Sequence, residues 1–279
     1  MDIVMDEDYL KHVDRLIRQR PGAAPALRSY GELARLMART EPAHEPKIPG
    51  QNHLETWRKE GFPLFRGEDL PVDFDAAAAL LNRFFAHLSR TDREDRAGLV
   101  QARERGENDP LWTGGVFKAI LKQDPKALAV MAGQVGLEPQ GLLFLGKTAL
   151  RPSFSALRRL TEKMIDEKAW EQGYCPLCGF QPDMACFTKA GKRRLHCELC
   201  GTCWTFARIG CPFCENRDPE SLGFFEAEGE EGLRVYVCKV CRRYVKTVDS
   251  RVFEKVAPLE LESLATLHLD LIANQNGYE

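Results

Sequence analysis

Ten cysteines lie within one stretch of the chain, and eight of them form four Cys-x-x-Cys pairs. The pairs are Cys175/Cys178, Cys197/Cys200, Cys211/Cys214 and Cys238/Cys241. Eighteen residues separate the first pair from the second, and 23 separate the third from the fourth. Two thiolates three residues apart on a tight turn can face one ion, and two such turns complete a tetrahedral site. The spacing therefore predicts two sites of four thiolates, each holding one metal ion.

The residues around the pairs indicate how the turns are built. Gly179 and Gly201 follow the first two pairs, where a left-handed backbone suits glycine. Glu215 and Arg242 stand at the equivalent positions after the other two pairs, which predicts a less uniform second site. Alternating patterns predict two hairpins, 184–189 with 193–196 and 222–226 with 233–237, and two further strands at 204–208 and 244–248. Each half of the stretch therefore has the pattern of a zinc ribbon or a rubredoxin-like module.

Other uses of paired cysteines are less favoured. The acidic N-terminus, with Asp2, Asp6, Glu7 and Asp8, does not resemble a signal peptide, so reduced thiols are expected rather than disulfides. A thioredoxin-type pair needs a βαβ pattern, and c-type haem needs a histidine directly after the pair; the sequence has neither around these cysteines. A [4Fe–4S] cluster stays open as an alternative, although turns paired around hairpins favour a single ion.

Cys186 and Cys203 remain outside the two predicted sites. Cys203 lies three residues after Cys200 and offers a rival pair, but the residues that follow it already have the pattern of a strand. Cys186 lies within a predicted strand, where a cysteine is usually a small buried hydrophobe. His196 is expected to be a core or polar residue, because four thiolates already complete the first site.

Residues 1–170 contain no cysteine and have mainly helical patterns. Apolar stripes predict helices near 9–17, 27–37 and 80–88, the last after a cap at Asp73 or Asp75. Shorter helices are predicted at 111–121, 125–135, 139–145 and 154–165, the charged stretch 90–107 is predicted to be solvated, and the apolar residues 61–65 to be extended and buried. Pro258 at a first helical position predicts a last helix, which Gly277 ends.

These patterns predict an α+β chain of two parts, an all-helical N-terminal domain followed by two tandem rubredoxin-like or zinc-ribbon β modules and a C-terminal helix. The boundaries are 1–170 for the helical domain, 171–209 and 210–255 for the two ribbons, and 256–279 for the helix. The net charge of −2 and the absence of a long apolar run favour neither nucleic-acid binding nor membrane insertion. A cytoplasmic protein is expected.

The sequence contains no phosphate-binding loop, no Gly-x-Ser-x-Gly and no His-Glu-x-x-His motif. Each predicted site has four thiolates, which leaves no open position for water at the metal, and closed sites of this kind are usually structural. The residues therefore predict a binding or adaptor protein, and no catalytic residue is assigned.

The arrangement resembles the formate dehydrogenase accessory (formation) protein family, the FdhE type. The resemblance rests on 175–179, 195–204, 208–214 and 236–247, and extends to 61–64, 149–152, 264–271 and 277–278. It implies a cytoplasmic maturation protein or chaperone that contacts the catalytic subunit of formate dehydrogenase. It also implies two mononuclear ions, iron or zinc with iron favoured, held by the two groups of four cysteines. Cys203 falls where the family pattern has a polar or acidic residue.

Side chains around the turns are the predicted partner contacts: Arg193, Arg194, Trp204, Arg208 and Arg242. Two alternatives stay open. A nucleic-acid-binding zinc ribbon would use basic residues at both modules, with Trp204 and Tyr244 as stacking platforms. These basic residues are Lys189, Lys192, Arg193 and Arg194 at the first module and Arg242, Arg243 and Lys246 at the second. A rubredoxin-like electron-transfer protein would use the same thiolate sites. The oligomeric state is not indicated by the sequence.

Overall fold

The computed structural model describes residues 7–43, 48, 60–165 and 170–279. The α-helices in this part of the chain are α1 (Glu7–Gln19), α2 (Ala24–Met37), α3 (Phe74–Leu88), α4 (Arg96–Asn108), α5 (Pro110–Leu121), α6 (Pro125–Gly133), α7 (Pro139–Thr161), α8 (Leu259–Ala265) and α9 (Leu267–Gln275). The strands are β1 (Pro182–Phe187), β2 (Arg193–Cys197), β3 (Cys203–Phe206), β4 (Leu222–Glu226), β5 (Leu233–Cys238) and β6 (Tyr244–Asp249). Short 3-10 turns occur at Pro21–Ala23, Gly67–Asp69 and Glu162–Met164. The predicted α+β class, with helices before the sheet and after it, is confirmed.

Contacts divide the chain into two compact units. The sheet unit consists of Met1–Gly31, Pro49–Phe65 and Thr161–Glu279, and the helical unit of Glu32–Ile48 and Arg66–Leu160. The predicted domain boundaries at 170, 209 and 255 differ from this division. The first part of the chain is helical as predicted, but α1 and the segment 60–65 have their contacts with the cysteine-rich part.

Helix α4 lies in the charged stretch that was predicted to be solvated and without a helix. The sequence does not show the apolar pattern of a helix here, because two of the buried positions are glycines, Gly98 and Gly106. A side chain at Gly98 would collide with the carbonyl of Gly136, and one at Gly106 with the amide of Asn82. Close packing therefore requires residues that usually mark a break in a helix.

Helix α7 replaces two shorter predicted helices. It runs for 23 residues with Pro152 inside it, where a proline removes one backbone hydrogen bond and costs about 3 kcal/mol. Buried residues continue along one face on both sides of the proline: Leu142, Leu145, Ala149, Leu150, Phe154 and Leu157. Burial of this continuous face offsets the cost, so the helix passes through the proline instead of ending there.

The two predicted ribbons form one six-stranded sheet with the order β3-β2-β1-β6-β5-β4. Within each ribbon the strands pair antiparallel, as the hairpin patterns predict. Strands β1 and β6 pair in parallel, with Met184 opposite Lys246 and Phe187 opposite Asp249. This non-local pairing was not predicted, and it makes the two modules one sheet.

One face of the sheet packs against α8 and α9. The buried core between them consists of Met184, Leu233, Val235, Val237, Val248, Leu259, Leu269 and Ala273. The single predicted C-terminal helix is broken at Thr266, whose φ of −122° lies outside the helical region. Pro258 precedes α8 as its N-cap residue with ψ 135°, and not as the first helical residue. Gly277, with a φ of 74°, lies two residues after the last residue of α9, in agreement with the prediction that it ends the helix.

The predicted extended segment 61–65 lies against the first cysteine turn. The N–H of Leu64 donates to the carbonyl of Pro176 (2.8 Å), and the N–H of Phe65 donates to that of Leu177 (2.9 Å). The Tyr174 hydroxyl donates to the carbonyl of Gly61 (2.6 Å). The segment therefore fixes the backbone of the first turn. None of the helices in the described part of the chain combines the length and hydropathy that a membrane crossing requires.

Candidate metal centres

All four Cys-x-x-Cys turns close with the same two backbone hydrogen bonds. The N–H four residues after the first cysteine donates to the carbonyl of that cysteine. The N–H of the same cysteine donates to the carbonyl five residues ahead. The eight N···O distances lie between 2.8 and 3.1 Å. The sequence Cys-x-x-Cys thus produces one turn geometry four times, with both sulfurs on the same side.

The residue after the second cysteine has a left-handed backbone in every turn. The φ angles are 75° at Gly179, 72° at Gly201, 59° at Glu215 and 58° at Arg242. The prediction of a less uniform second site is therefore wrong for the backbone, because the turn imposes the same conformation whatever the residue. A side chain in this conformation costs about 1–2 kcal/mol, so the second site holds two strained residues.

We expect Glu215→Gly to stabilise the metal-loaded protein by up to about 1 kcal/mol, the difference between the strain relieved and the entropy lost by glycine. The melting temperature should rise by about 2–4 °C in a circular dichroism scan. Gly179→Ala is the matched control and should lower the melting temperature. Alanine is strained at a φ of 75°, and its Cβ would lie 3.1 Å from Pro63 Cγ. A glycine variant that melts below the parent protein would contradict the strain argument.

The first cluster consists of Cys175, Cys178, Cys197 and Cys200, all buried. The Sγ···Sγ distances are 3.5 Å from Cys175 to Cys200, 3.4 Å from Cys178 to Cys197 and 3.5 Å from Cys178 to Cys200. A regular tetrahedron with metal–sulfur bonds of about 2.3 Å has edges of about 3.8 Å. The donor set and its spacing therefore fit one four-coordinate ion, iron or zinc.

The second cluster consists of Cys211, Cys214, Cys238 and Cys241. Its Sγ···Sγ distances are 3.6 Å from Cys211 to Cys241 and 3.7 Å from Cys214 to Cys238. Cys214 is exposed and Cys241 half-buried, whereas the other two are buried. This cluster fits the same kind of ion but lies closer to water than the first.

Hydrogen bonds around the sulfurs favour the thiolate form at particular cysteines. Burial raises the pKa of the Cys178 thiol. At Cys200, burial is outweighed by hydrogen-bond interactions with the other thiols and with Thr202, which lower its pKa. At Cys238, burial is likewise outweighed by the backbone N–H groups of Cys241 and Val240 and by Asn216, and its pKa falls to about 7. Each cluster therefore contains a sulfur that is ready to lose its proton to an incoming ion.

The difference in exposure predicts an order of metal loss. We expect a chelator to remove metal from the second cluster at least about tenfold faster than from the first, a difference of about 1.4 kcal/mol in barrier. The measurement combines release kinetics with mass spectrometric mapping of alkylated cysteines. Cys214 and Cys241 should be alkylated in the fast phase, and Cys175 and Cys178 in the slow one. Simultaneous alkylation of both clusters would contradict this order.

The remaining cysteines and His196 lie outside both clusters. Cys186 lies in β1 opposite Arg194, and Cys203 lies in β3 opposite His196. The buried His196 places its Nδ1 2.7 Å from an oxygen of Asp183, in agreement with a core role. The eight cysteines predicted as ligands are thus the eight that the fold brings together.

Two of the five predicted partner contacts are wrong. Trp204 is 0% exposed, and its Nε1–H donates to the carbonyl of Gln172 (3.1 Å). Arg193 is 3% exposed and donates to the carbonyl of Gly210 (2.8 Å). Both side chains lie on the sheet face that the segments after 170 and 206 cover, so neither is available to a partner. Lys246, which belonged to the alternative nucleic-acid surface, is also buried.

The other three predicted contacts reach the surface to different degrees. Arg194 is half-buried and donates to the carbonyl of Cys203 (3.0 Å). Arg208 is exposed. Arg242 is exposed, donates to the carbonyl of Gly277 (3.1 Å) and stacks on the ring of Tyr278 (4.3 Å). Arg194, Arg208 and Arg242 therefore stay predictions as partner contacts.

Two residues near the sulfurs were missed in the sequence. Thr202 Oγ1 lies 3.1 Å from Cys200 Sγ, and Asn216 Nδ2 lies 3.7 Å from Cys238 Sγ. Both stand two residues after the second cysteine of a pair, in the position whose carbonyl closes the turn. Their position two residues after a Cys-x-x-Cys pair is the feature of the sequence that could have identified them.

Comparison with known proteins shows similarity to several FdhE homologues, although no family model matches the chain. The chain is 32% identical to the homologue of Aquifex aeolicus over 186 residues, which are 65% of this chain and 62% of the relative. It is 28% identical to that of Shewanella sp. strain MR-4 over 58% of this chain and 56% of the relative. It is 32% identical to that of Pseudomonas aeruginosa over 54% of this chain and 52% of the relative.

The alignments thus span about half to three fifths of these relatives' lengths. The crystal structure of the FdhE protein from Pseudomonas aeruginosa superposes on 97% of this chain and 92% of that one, with a TM-score of 0.68 and 25% identity. The names of these relatives denote no catalysed reaction, in agreement with the prediction that the chain is not an enzyme.

Proposed function

We propose that this chain, which is similar to FdhE proteins in sequence and in fold, is a cytoplasmic accessory protein of the FdhE family for the assembly of active formate dehydrogenase. The observation that carries the proposal is the pair of four-sulfur clusters in a chain that superposes on an FdhE structure over 97% of its length. An accessory protein acts through binding, and closed thiolate sites suit that role because they stabilise a surface without supplying an open coordination position.

The proposed partner is the catalytic subunit of formate dehydrogenase. Its contact surface includes Arg208 and Arg242, which are exposed beside the second cluster's turns. Arginine side chains often dominate such contacts because the planar guanidinium forms several hydrogen bonds at once. Replacing both by glutamate tests this surface, with Lys192→Glu, which is exposed on the β1–β2 turn, as the matched control.

The experiment is complementation of a strain that lacks its own copy of this accessory gene. The intact chain should restore formate-dependent dye reduction and capture the catalytic subunit from anaerobically grown cells. The Arg208→Glu/Arg242→Glu protein should retain both metals but capture less subunit, whereas Lys192→Glu should behave as the parent. Full dye reduction in the strain without any copy of the gene would overturn the proposed function.

We further propose that each cluster holds one ion, iron or zinc according to supply, with iron favoured by the family resemblance. Four thiolates suit both metals. Protein loaded with iron without oxygen and then oxidised should be red because of thiolate-to-iron charge transfer, and protein loaded with zinc should be colourless. Four irons per cluster together with acid-labile sulfide would instead indicate [4Fe–4S] clusters.

One alternative keeps a supporting observation. The exposure of Cys214 brings the second cluster close to solvent, as an electron-transfer site requires. Reversible bleaching by a physiological reductant, with dye reduction unaffected in the deletion strain, would favour that alternative. The nucleic-acid alternative loses Trp204 as a stacking platform, because the indole is fully buried.

A further inference from the structure

A cavity of about 200 Å³ lies in the sheet unit beside the second cluster. Cys211 and Cys238 form part of its wall, and the apolar remainder includes Phe213, Leu222, Phe224, Tyr236 and Val245. The volume equals that of about seven molecules of liquid water. Its walls are mainly apolar, so the cavity has the size and the surface to hold one small organic group.

Three arginines line this apolar cavity: Arg193, Arg208 and Arg243. Arg193 is buried between two aromatic rings, with its guanidinium carbon 5.8 Å from the centre of Phe206 and 5.4 Å from that of Tyr236. Arg208 and Arg243 are exposed at the rim, and the guanidinium of Arg243 lies 3.8 Å from the ring centre of Phe213. The cavity therefore combines an apolar wall with three positive charges.

No carboxylate balances these charges within the part of the chain that the structure describes. None of the described residues that line the cavity is acidic, and none of the three arginines forms an ion pair with a described residue. The Nε of Arg193 is a buried donor without a hydrogen-bond partner among those residues. The Nη1 of Arg193 donates to the carbonyl of Gly210 (2.8 Å), and Cys211 of the second cluster lies on the same cavity wall. A buried guanidinium whose Nε has no partner among the described residues favours an anion that enters the cavity.

Arg208 and Arg243 lie at the open side of the cavity, where their guanidinium groups can reach the charged end of a ligand while the rest of the ligand enters the apolar part. A carboxylate suits this arrangement, because its two oxygens accept hydrogen bonds from guanidinium groups and its carbon substituent can be apolar. A phosphate ion would gain little from the apolar wall.

We propose that this cavity binds a single carboxylate carried on a small apolar or aromatic group. The carboxylate accepts hydrogen bonds from the rim arginines Arg208 and Arg243, each of which can bind it through two N–H groups. The apolar group packs against Phe224, Leu222 and Tyr236, and buried Arg193 supplies a fixed positive charge. The carboxylate belongs either to a free acid or to the end of a polypeptide. The site shares Arg208 with the proposed partner surface, and its test uses small probes and no enzyme partner.

The test uses the full chain loaded with zinc and two probes of nearly equal shape, benzoate and benzamide. Binding is followed by calorimetry and by NMR shifts of residues around the cavity. We expect benzoate to bind at least about tenfold more tightly than benzamide, because only the carboxylate forms charge-assisted hydrogen bonds. Equal affinity for the two probes, or no shift of cavity residues up to the solubility limit of benzoate, would overturn the proposal.

Two rim variants separate this site from a role of the arginines at the metal. Arg208→Gln and Arg243→Gln should each lower the affinity for benzoate about tenfold without changing that for benzamide. Lys192→Gln removes the same charge from the exposed β1–β2 turn and should change neither affinity. Zinc content should stay at two ions per chain in all three proteins. Loss of zinc with unchanged benzoate affinity would show that the arginines serve the metal centre, and the proposal would fail.

A second pair of probes distinguishes the two sources of the carboxylate. Acetyl-Gly-Gly-Phe with a free carboxyl end is compared with the same peptide as its amide. If the peptide acid binds more tightly than benzoate and the amide does not, the site takes a polypeptide end. If benzoate binds more tightly than the peptide acid, the site takes a free acid. Formate-dependent dye reduction is not measured, so failure here leaves the proposed function standing.

Discussion

Cys175→Ser is expected to empty the first cluster of its metal and to unfold the sheet unit. Cys175 is fully buried, and its Sγ lies 3.5 Å from that of Cys200. Metal binding to such small modules supplies folding free energy on the order of 10 kcal/mol, and serine cannot replace the thiolate. This loss is comparable with the total stability of a domain, so the module should not fold without the fourth ligand.

Unfolding should extend beyond the first module because the two ribbons share a sheet. Strand β1, which follows the first cysteine turn, pairs in parallel with β6 from the second module. Unfolding of β1 exposes that edge of β6 and the core residue Met184, which packs with Val235 and Val248. Hydrogen exchange should therefore increase in β6 and β5 as well as in β1 and β2. Helices α3–α6, which lie in the helical unit, should keep their protection.

Cys186→Ser and Cys203→Ser are the matched controls for this experiment. Both cysteines lie in the same sheet, outside the two clusters, so each variant should retain two metals per chain by elemental analysis. If Cys175→Ser retained two metals and an unchanged melting curve, Cys175 would not be a ligand. If only β1–β3 lost protection, the modules would fold independently despite the parallel pairing.

The turns and hairpins of the sheet unit were predictable because they depend on local sequence. A Cys-x-x-Cys turn spans six residues, and a hairpin joins strands that are neighbours in the chain. The parallel pairing of β1 with β6 joins residues about sixty apart in the chain, such as Met184 and Lys246, and no spacing in the sequence specifies it. The cysteine clusters followed from the sequence, whereas the continuous sheet did not.

Burial of charged residues was the main source of error at the candidate surfaces. A charged side chain is usually exposed, so Arg193 was taken as a partner contact. In the structure it lies on the same face of the sheet as Leu195, and aromatic rings on both sides cover it. The alternation within β2 placed both residues on one face, but nothing local indicated that both faces of the strand are buried.

Lys246 is a second buried charge, and its contacts explain why the C-terminal helix is broken. It is 3% exposed, and its Nζ donates to a carboxylate oxygen of Asp270 (2.7 Å) and to the carbonyl of Ser263 (2.8 Å). The carbonyl of Thr266 lies 3.5 Å from the same nitrogen. A continuous helix would use these carbonyls within its own backbone, so the ammonium group stabilises the break between α8 and α9.

We expect Lys246→Met to destabilise the sheet unit by about 3 kcal/mol, the lower end of the range for breaking a buried ion pair. The lower end applies because the Asp270 side chain is 26% exposed and is partly hydrated. Methionine keeps the apolar stem but removes the ammonium donor from the Asp270 carboxylate and from the carbonyls of Ser263 and Thr266. The Tyr244 hydroxyl still donates to Asp270 (2.8 Å), and the N–H of Leu269 still donates to the carbonyl of Thr266 (3.0 Å). The measurement is thermal unfolding of the metal-loaded protein.

Each kcal/mol corresponds to about 2–4 °C, so the melting temperature of Lys246→Met should fall by about 6–12 °C. Lys239→Met is the matched control, since Lys239 is exposed and its Nζ donates only to the carbonyl of Glu220 (3.1 Å) among the contacts described. Its effect should stay within about 0.5 kcal/mol. Both variants should retain two metals, because neither lysine contacts a cysteine sulfur in the described structure. If the two variants had the same melting temperature, Lys246 would contribute no more than a surface charge, and the break at Thr266 would need another cause.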